Sequence, residues 1–309
     1  MSKIATREAY GKALVKLGKM NDDVVVLDAD LSKSTKTNDF YKAYPDRFFN
    51  MGIAEQNLVG AACGFAAAGK VPFASTFAMF ATGRAFEVIR NSVCYPKLNV
   101  KICATHAGIT VGEDGGSHQS VEDISLMRSI PNMTVVVPAD GIEAEKMIFA
   151  AAELDGPMYI RLGRSAVPTI FEEDYNFEIG KGVVLRDGND ATIIACGIMV
   201  NEALIAADML KEENINARVI NMSTIKPIDT DLIIKAAKET KAIVTAEEHS
   251  VIGGLGSAVS EVVSESNPII VKKVGMNDCF GESGTPSELL EKYGLTAKNI
   301  VEKVKEALN

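Results

Sequence analysis

The stretch from Phe49 to Asn57, "FNMGIAEQN", connects a short apolar strand pattern to a helix pattern and places Gly52 at the turn between them. The helix that follows, "LVGAACGFAAAG" (58–69), consists almost entirely of small apolar residues, and Glu55 stands at its mouth. An acid in the first turn of a helix is commonly explained by its favourable interaction with the helix dipole, about 0.3–1 kcal/mol. A carboxyl beside so apolar a helix would also lose part of its hydration, and this favours a functional role.

The order of strand and then helix recurs from one end of the chain to the other. The strand patterns are continuously apolar, and this is typical of parallel sheets that helices cover on both faces. Helix patterns separate them, such as Thr6–Met20 and Gly141–Leu154. We therefore predict an α/β fold with mostly parallel sheets. The clearest strands of the first half are Val24–Asp30, Val71–Phe77, Val100–His106, Thr134–Asp140 and Met158–Gly163.

A polar and aromatic stretch, "RSAVPTIFEEDYNFEIGKG" (164–182), interrupts this alternation. Beyond it, a second set of apolar strands begins with "ATIIACG" and ends with "IIVKKVG". Each half is long enough for a domain of ordinary size. We therefore predict one domain over residues 1–168, a linker over 169–184 and a smaller second domain over 185–309.

The composition argues against several classes of protein. With 47% hydrophobic residues, the chain has ample apolar content to offset the entropy lost on folding, so disorder is not expected. The formal net charge of −9 argues against a nucleic-acid partner. No uninterrupted apolar run reaches the roughly 18 residues of a membrane span, and the N-terminal helix pattern lacks the apolar core of a secretion signal. The five cysteines form no C-x-x-C pair, so we expect reduced thiols in a cytoplasmic protein without a membrane partner.

Ligands of open α/β sheets gather beyond the carboxyl ends of the strands. Every histidine of the first domain, and most of its unusual polar residues, follow such strand ends. The segment "GEDGGSHQ" (112–119) is the densest, because it combines acids, a histidine and three glycines. It is explained either as a flexible surface turn or as a loop that binds a polyhydroxylated or phosphorylated ligand. The residues predicted at this edge are Asp28, Asp30, Ser34, Glu55, Phe77, Phe80, His106, Asp114, His118 and Arg164.

Other residues have structural explanations when each is taken alone. Phe77 and Phe80 fit the buried face of a helix, and Arg164 is placed to pair with the acidic linker "FEED" (171–174). The segment "GGLGSAV" (253–259) lacks the G-x-G-x-x-G order of a dinucleotide site, so a helix start and tight packing explain it adequately. His249, just before it, is expected to be structural.

Taken together, these segments resemble the pyrimidine-binding and C-terminal domains of transketolase over essentially the whole chain. The resemblance implies a mostly parallel-sheet pyrimidine-binding domain for thiamine diphosphate, followed by a smaller C-terminal domain. It also implies transfer of a two-carbon ketol unit from a ketose phosphate to an aldose phosphate, with the pentose phosphate pathway as the default setting. The matching segments, in the family's order, are "DADLSKS" (28–34), "FFNMGIAEQN" (48–57), "FASTFAMF" (73–80), "THAGITVGEDGGSHQ" (105–119), "RSIPNMTVVVPAD" (128–140), "LGRSAVP" (162–168), "GGLGSAV" (253–259) and "FGESGTPSELLEKYGL" (280–295).

The resemblance also implies roles for residues near the cofactor. Glu55 matches the catalytic acid that hydrogen-bonds N1′ of the aminopyrimidine ring, and this would explain a carboxyl at the mouth of an apolar helix. Phe77 and Phe80 match the aromatic pocket that stacks on this ring, and Asp30 matches an acid near the cofactor. Gly83 departs from the pattern, because a further aromatic residue often stands at its position in the family.

Six further residues match groups that bind the substrate. His106, which the resemblance also counts as catalytic, Asp114 and His118 match residues that bind sugar hydroxyls. The residues that match the phosphate-binding set are Arg7, Ser34 and Arg164, of which the first two rest on a weaker alignment. An arginine suits a sugar phosphate, because its planar fork of donors forms charge-assisted bonds with two oxygens.

One part of the family's pattern is missing. Thiamine-diphosphate enzymes of this group bind the diphosphate and Mg²⁺ through a G-D-G motif and a later asparagine, and this chain contains no G-D-G. The resemblance therefore implies that a second chain, an N-terminal transketolase subunit, carries the diphosphate domain and the Mg²⁺ ligands. Each site would lie between the two kinds of chain in an α₂β₂ assembly. Helix 58–69 is a candidate for close packing at this interface between the two kinds of chain. We also expect two copies of this chain to pair through the pyrimidine-binding domain.

Three alternatives stay open at this stage. Deoxyxylulose-phosphate synthase has the same two domains, although its diphosphate domain is normally in the same chain. The β subunit of 2-oxoacid dehydrogenases is a separate chain of this size, but it lacks the "GEDG-x-x-HQ" pattern. A non-catalytic assembly subunit belongs to a different class, and the presence of Glu55 together with His106, Asp114 and His118 argues against it.

Overall fold

The computed structural model describes residues 2–309, which form two α/β units, each built around its own sheet. The strands are β1 (Lys3–Ala5), β2 (Val24–Asp28), β3 (Phe48–Asn50), β4 (Val71–Phe77), β5 (Lys101–Thr105), β6 (Thr134–Val136), β7 (Met158–Arg161), β8 (Ala166–Pro168), β9 (Val183–Arg186), β10 (Ala191–Ala195), β11 (Ala217–Asn221), β12 (Thr224–Lys226), β13 (Ile243–Ser250) and β14 (Val271–Met276). The helices are α1 (Thr6–Met20), α2 (Ser32–Thr35), α3 (Asn38–Ala43), α4 (Glu55–Ala67), α5 (Ala78–Arg84), α6 (Phe86–Val88), α7 (Asp123–Ser129), α8 (Gly141–Glu153), α9 (Met199–Glu212), α10 (Thr230–Glu239), α11 (Leu255–Glu265), α12 (Pro286–Lys292) and α13 (Ala297–Leu308).

The first sheet has seven strands in the order β12-β6-β7-β5-β4-β2-β3, and all but β12 run parallel. Every residue of β2, β5 and β7 is buried, as expected for strands that helices cover on both faces. Helices α1 and α8 pack together in the core on one face, and α4 contributes to the core on the other face. The predicted α/β fold with mostly parallel sheets is confirmed.

The second sheet has five strands in the order β14-β13-β10-β11-β9, with only β9 antiparallel to its neighbour. Helices α9 and α13 pack on one face, and α10 and α11 pack on the other. The segment 253–259 contains the start of α11, where the Glu247 carboxylate accepts hydrogen bonds from the backbone N–H groups of Leu255 and Gly256. Within residues 2–309, no helix is both long and apolar enough to cross a bilayer.

Two features join the units. Strand β12 follows the second unit's strand β11, yet it pairs antiparallel with β6 at the edge of the first sheet. A buried ion pair also lies where the units meet: the Arg161 guanidinium bonds to Asp123 at 2.8 Å and donates to the backbone carbonyl of Glu248 at 2.9 Å. Burial alone would raise the pKa of Asp123, but the charge of Arg161, together with the charge of His249 and the hydrogen bonds from Arg161 and Tyr159, holds that pKa below its usual value.

The connection between the sheets contains one small antiparallel pair. Strand β8 pairs with β1, so that Val167 lies opposite Ile4. The second sheet begins with β9 at Val183, inside the stretch predicted as linker. The division at residues 168 and 185 therefore stays a prediction of the sequence.

Candidate functional site

The carboxyl ends of the parallel strands meet at one edge of the first sheet. Asp28 at the end of β2 lies opposite Ser75 of β4, and Phe77 at the end of β4 lies opposite Thr105 at the end of β5. Because these strands end side by side, the segments that follow them are brought together. This edge is where the sequence predicts the ligand site.

His106 follows β5 in a left-handed conformation (φ +57°) and is only 3% exposed. Its Nε2 lies 3.2 Å from Arg7 Nη1, and its Nδ1 lies 2.8 Å from Thr105 Oγ1. Because an arginine N–H can only donate, Nε2 accepts, and the neutral ring carries its proton on Nδ1. Burial, with the charges of Arg7 and Arg164 adding to it, lowers the pKa of His106 to about 3. The ring is therefore a neutral acceptor at any ordinary pH.

Aromatic rings cover one side of this histidine. The Phe77 ring stacks on His106 at 3.9 Å between centroids, and Phe80 lies 5.8 Å from Phe77. His118 approaches Phe80 with its edge at 5.4 Å, and its Nδ1 lies 3.0 Å from Ser117 Oγ. The four predicted aromatic and histidine side chains thus form one cluster. Phe77 is buried within it, whereas Phe80 keeps part of its surface open.

Glu55 is the first residue of α4, and its side chain is only 4% exposed. Both of its carboxylate oxygens accept from Arg84 Nη1, at 3.2 and 3.3 Å. The Arg84 guanidinium also lies over the Phe80 ring, with Cζ 4.2 Å from the ring centroid. Sequence reasoning missed Arg84, although it follows β4 within the segment that carries Phe77 and Phe80. The strand-end rule that selected its neighbours would also have selected it.

The segment after β2 is held by a buried carboxylate. Asp28 accepts from Leu31 N–H and from the hydroxyls of Thr35 and Thr37. Burial raises the pKa of Asp28, and these hydrogen bonds oppose the rise. The segment thereby places the Ser34 carbonyl where it accepts from Arg7 Nη1 at 2.8 Å.

Asp30 lies at the rim of the same edge. It is exposed, has a left-handed conformation (φ +64°) and accepts from Asn50 Nδ2 at 3.0 Å. Asn50 Oδ1 in turn accepts from the backbone N–H groups of Asp30 and Gly52. This pair of residues therefore ties the tail of β2 to the turn that precedes Glu55.

The segment 112–119 is anchored at Arg164. The Arg164 Nη1 donates to Glu113 Oε2 at 2.9 Å and to the Val111 carbonyl. The alternative pairing of Arg164 with the acids of 171–174 is therefore wrong, because the glycine-rich loop folds back and brings a nearer acid to it. Asp114 is exposed on this loop.

The second unit holds the loop that follows His106, and the sequence did not predict this. Glu248 Oε1 accepts from Thr110 N–H at 2.7 Å, and a Cβ on Gly108 would clash with the Glu248 carboxyl carbon. Gln119 Nε2 bridges the carbonyls of Ile109, Gly112 and the second unit's Glu282. The prediction that His249 is structural agrees with its surroundings: it is buried, and its Nε2 lies 3.3 Å from Ser125 N.

A cavity of about 430 Å³ opens beside this cluster. Phe80 and Arg84 line one side, and Gly116 and the second unit's Phe280, which is 85% exposed, line another. Within residues 2–309, no group of three or more His, Cys, Asp or Glu side chains is arranged to hold a metal ion. The edge thus joins a buried carboxylate, an aromatic pocket and a cationic cluster.

Comparison with known proteins decides the family. The family model described as "Transketolase, pyrimidine binding domain" matches residues 2–169, and "Transketolase, C-terminal domain" matches residues 180–300. The chain belongs to the transketolase family. The resemblance drawn from the sequence motifs is thereby confirmed. Transketolases depend on thiamine diphosphate, and this chain carries the family's pyrimidine-binding part.

Three similar proteins have the length as well as the sequence of this chain. A "Putative transketolase C-terminal section" of Methanocaldococcus jannaschii is 54% identical over 306 residues, which are 98% of this chain and 96% of that protein. The "6-deoxy-6-sulfo-D-fructose transketolase subunit SqwH" of Clostridium sp. (strain MSTE9) is 44% identical over 295 residues, 96% of this chain and 92% of that one. A solved structure, "Split gene transketolase, inactive beta4 tetramer", is 62% identical, covers 99% of both chains and has a TM-score of 0.92.

Proposed function

We propose that this chain is the pyrimidine-binding subunit of a split, thiamine-diphosphate-dependent transketolase. In this proposal it transfers a two-carbon ketol unit from a ketose phosphate to an aldose phosphate, and only together with a partner chain. The observation that carries the proposal is the buried Glu55 carboxylate beside the open side of Phe80. The similar chains described as a C-terminal section and as a split gene product support the division between two chains.

The residues present fit the aminopyrimidine ring of the cofactor. Arg84 already places a flat, hydrogen-bond-donating group against the Glu55 carboxylate and the Phe80 face. A planar ring with a polar edge requires the same two partners. When bound, thiamine diphosphate supplies the nucleophilic carbon that takes up the ketol unit. Glu55 would hold the proton at ring N1′, and Phe77 and Phe80 would keep water from the ring.

The substrate would lie over the neutral His106. Its Nε2 accepts from Arg7 in this structure, and the same lone pair would accept from a sugar hydroxyl that takes the place of Arg7. His118 and the exposed Asp114 would bind further hydroxyls from the loop 112–119. These roles follow the residues' match to the family and their place at one edge of the sheet.

Arg7, Ser34 and Arg164 would bind the terminal anion of the sugar. Arg7 supports this role, because its Nε is buried without a hydrogen-bond partner among residues 2–309. A buried donor left unpaired is costly, and an anion would satisfy it. The relative SqwH is named for a sulfonated ketose, so a sulfonate is the natural second candidate for this anion.

The partner chain would supply the diphosphate and Mg²⁺ site in an α₂β₂ assembly, and two copies of this chain would also pair. Helix α4 has the surface for close packing, because a Cβ on Gly60 or Gly64 would meet no atom of residues 2–309 within 4 Å, apart from the neighbouring residues and backbone of the helix itself. Ile53, just before this helix, is 78% exposed. We place the enzyme in the cytoplasm, with pentose phosphates as default substrates.

Calorimetry of thiamine diphosphate with Mg²⁺ tests the proposal. The cofactor is titrated into this chain alone, and then into its mixture with the proposed N-terminal transketolase subunit. We expect no binding to the chain alone, and micromolar binding with xylulose-5-phosphate:ribose-5-phosphate activity in the mixture. Tight binding by the chain alone would show that the inferred division of the site is wrong.

A further inference from the structure

The contact between Arg84 and Glu55 is unequal in burial. The Glu55 side chain is 4% exposed, whereas the Arg84 side chain is 54% exposed. Among residues 2–309, Arg84 is the side chain that hydrogen-bonds to this carboxylate. A buried carboxylate that loses its partner is strongly destabilising, whereas a half-exposed guanidinium is readily hydrated. The ion pair therefore stabilises the buried Glu55 carboxylate far more than it stabilises the half-exposed Arg84 guanidinium.

The chemistry of the contact is that of a flat, donating ring. A guanidinium is planar, presents N–H groups at its edge and stacks on aromatic rings with its face. In this structure the edge bonds to Glu55 and the face lies 4.2 Å from the Phe80 centroid. An aminopyrimidine held between the same two side chains would use the same carboxylate oxygens and the same ring face. The two groups therefore exclude each other.

Open space lies beside Arg84, and its side chain can move into it. It lies at the last position of α5, beside Gly83, and lines the open cavity of about 430 Å³. Its long, flexible side chain can move into this space without any change in the backbone. The carboxylate can then exchange one planar partner for another, and it is never left buried alone.

We propose that Arg84 is a stand-in for the cofactor ring: in the chain without cofactor its guanidinium occupies the aminopyrimidine's place on Glu55 and Phe80, and cofactor binding displaces it. This inference rests on the proposed function. Its consequence is a self-competition, because only molecules whose Arg84 has moved out can bind the ring. The apparent affinity for the cofactor is therefore the intrinsic affinity multiplied by the fraction of molecules in which Arg84 has left Glu55 and Phe80.

The first experiment uses the full chain without cofactor. Arg84→Met removes the guanidinium and keeps an unbranched side chain, and Arg90→Met is the matched control, since Arg90 is exposed and bonds only to Asn91 among its neighbours in residues 2–309. We expect Arg84→Met to lower the melting temperature by about 2–4 °C and Arg90→Met to leave it unchanged. In a Glu55→Gln background, Arg84→Met should have little effect. Equal effects of Arg84→Met in both backgrounds would overturn the proposal, because the two side chains would then not be coupled.

The second experiment measures thiamine diphosphate binding, with Mg²⁺, by the mixture of this chain with its partner. Arg84→Met should bind roughly two- to fivefold more tightly than the wild type, the factor expected for removing a partly exposed ion pair that competes. Weaker binding by Arg84→Met would overturn the proposal and make Arg84 a cofactor contact. Failure of the wild-type mixture to bind at all overturns the proposed function instead. The melting experiment distinguishes the two failures, since it contains no cofactor.

Discussion

The two sides of the candidate site differ in the contacts that hold their side chains in place. The histidine side, formed by Arg7, Thr105 and His106, is fixed from within the chain: both ring nitrogens of the buried His106 have partners. The carboxylate side, formed by Glu55 and Phe80, depends on one half-exposed arginine, Arg84, and this arginine and Phe80 line the open cavity. The second unit also fixes the histidine side, through the Glu248 carboxylate, which accepts from Thr110 N–H, and the Glu282 carbonyl, which accepts from Gln119 Nε2.

The difference teaches that, within residues 2–309, the histidine side is held by more hydrogen bonds than the carboxylate side. On the histidine side, hydrogen bonds between the two units order the backbone before any ligand binds. On the carboxylate side, the neighbouring helix α4 presents Gly60 and Gly64 to open space, and Ile53 is exposed before it. Substitution of Glu55 itself should therefore affect turnover, and substitutions behind the histidine side should affect stability.

The largest effect is expected at Glu55. Glu55→Gln keeps the size of the side chain but removes the group that exchanges a proton with the ring, so turnover of the reconstituted complex should fall at least about 100-fold. The melting temperature should stay near that of the wild type. Glu87→Gln, a change at an exposed acid on α6, is the control. Near-wild-type activity of Glu55→Gln would remove Glu55 from its proposed role.

Behind the histidine side, Glu248→Ala should cost about 2–4 kcal/mol of the free energy of unfolding, because a buried N–H on Thr110 loses its acceptor and a cavity remains. Burial raises the pKa of Glu248, so the isosteric Glu248→Gln should retain most of the stability. Denaturant unfolding measures both changes. Equal losses in the two variants would show that the hydrogen bond to Thr110 does not hold the loop.

Arg164→Ala tests the anion-binding role. The Michaelis constant for phosphorylated substrates should rise about tenfold, the loss expected for one charge-assisted hydrogen bond. Turnover of an unphosphorylated ketose should change little. Arg186→Ala, which removes an ion pair with Asp208 in the second unit, is the control. An equal loss for both kinds of substrate would assign Arg164 a structural role through Glu113 and Val111.

The smallest effect concerns pH. The folded pKa of His106 is about 3 and its ordinary value is 6.5, so between these values the unfolded chain binds more protons and stability falls as the pH falls. His106→Asn removes this slope. Between pH 6.5 and 4, the wild type should lose about 2–4 °C more in melting temperature than the variant. Parallel curves would contradict the buried, neutral histidine.

A second buried group does not disturb this measurement. Burial raises the pKa of Glu143 to about 7 from 4.5. The folded state therefore binds more protons between these values, and this contribution to stability is lost as the pH rises through them. Because Glu143 is present in the wild type and in His106→Asn alike, its contribution cancels in the difference between their curves.

The sequence predicted the fold and the side chains that follow single strands. The continuous apolar strands predicted a parallel sheet, and the strand-end rule placed Glu55, Phe77 and His106 at one edge. These predictions succeeded because each depends on local order along the chain and on one general property of such sheets. The individual functional roles of these residues stay predictions that the proposed experiments test.

The contacts between distant segments were not predictable in this way. The bond from Thr110 to Glu248 joins residues from two sheets, and no spacing in the sequence indicates it. The pairing of Arg164 with Glu113, instead of with the acids of 171–174, depends on how the glycine-rich loop folds back. Strand β12 has three residues, too few to show a period.

Strand β12 has a consequence for how the chain is made. The first sheet includes residues 224–226, so its outer strand β6 has an unpaired edge until the ribosome has extended the chain well into the second half. An exposed edge of this kind is a template for pairing with other nascent chains. During translation from the N-terminus, the first sheet therefore lacks its edge strand β12 after all its other strands have been made. A chain truncated before residue 224 would keep the edge of β6 unpaired permanently.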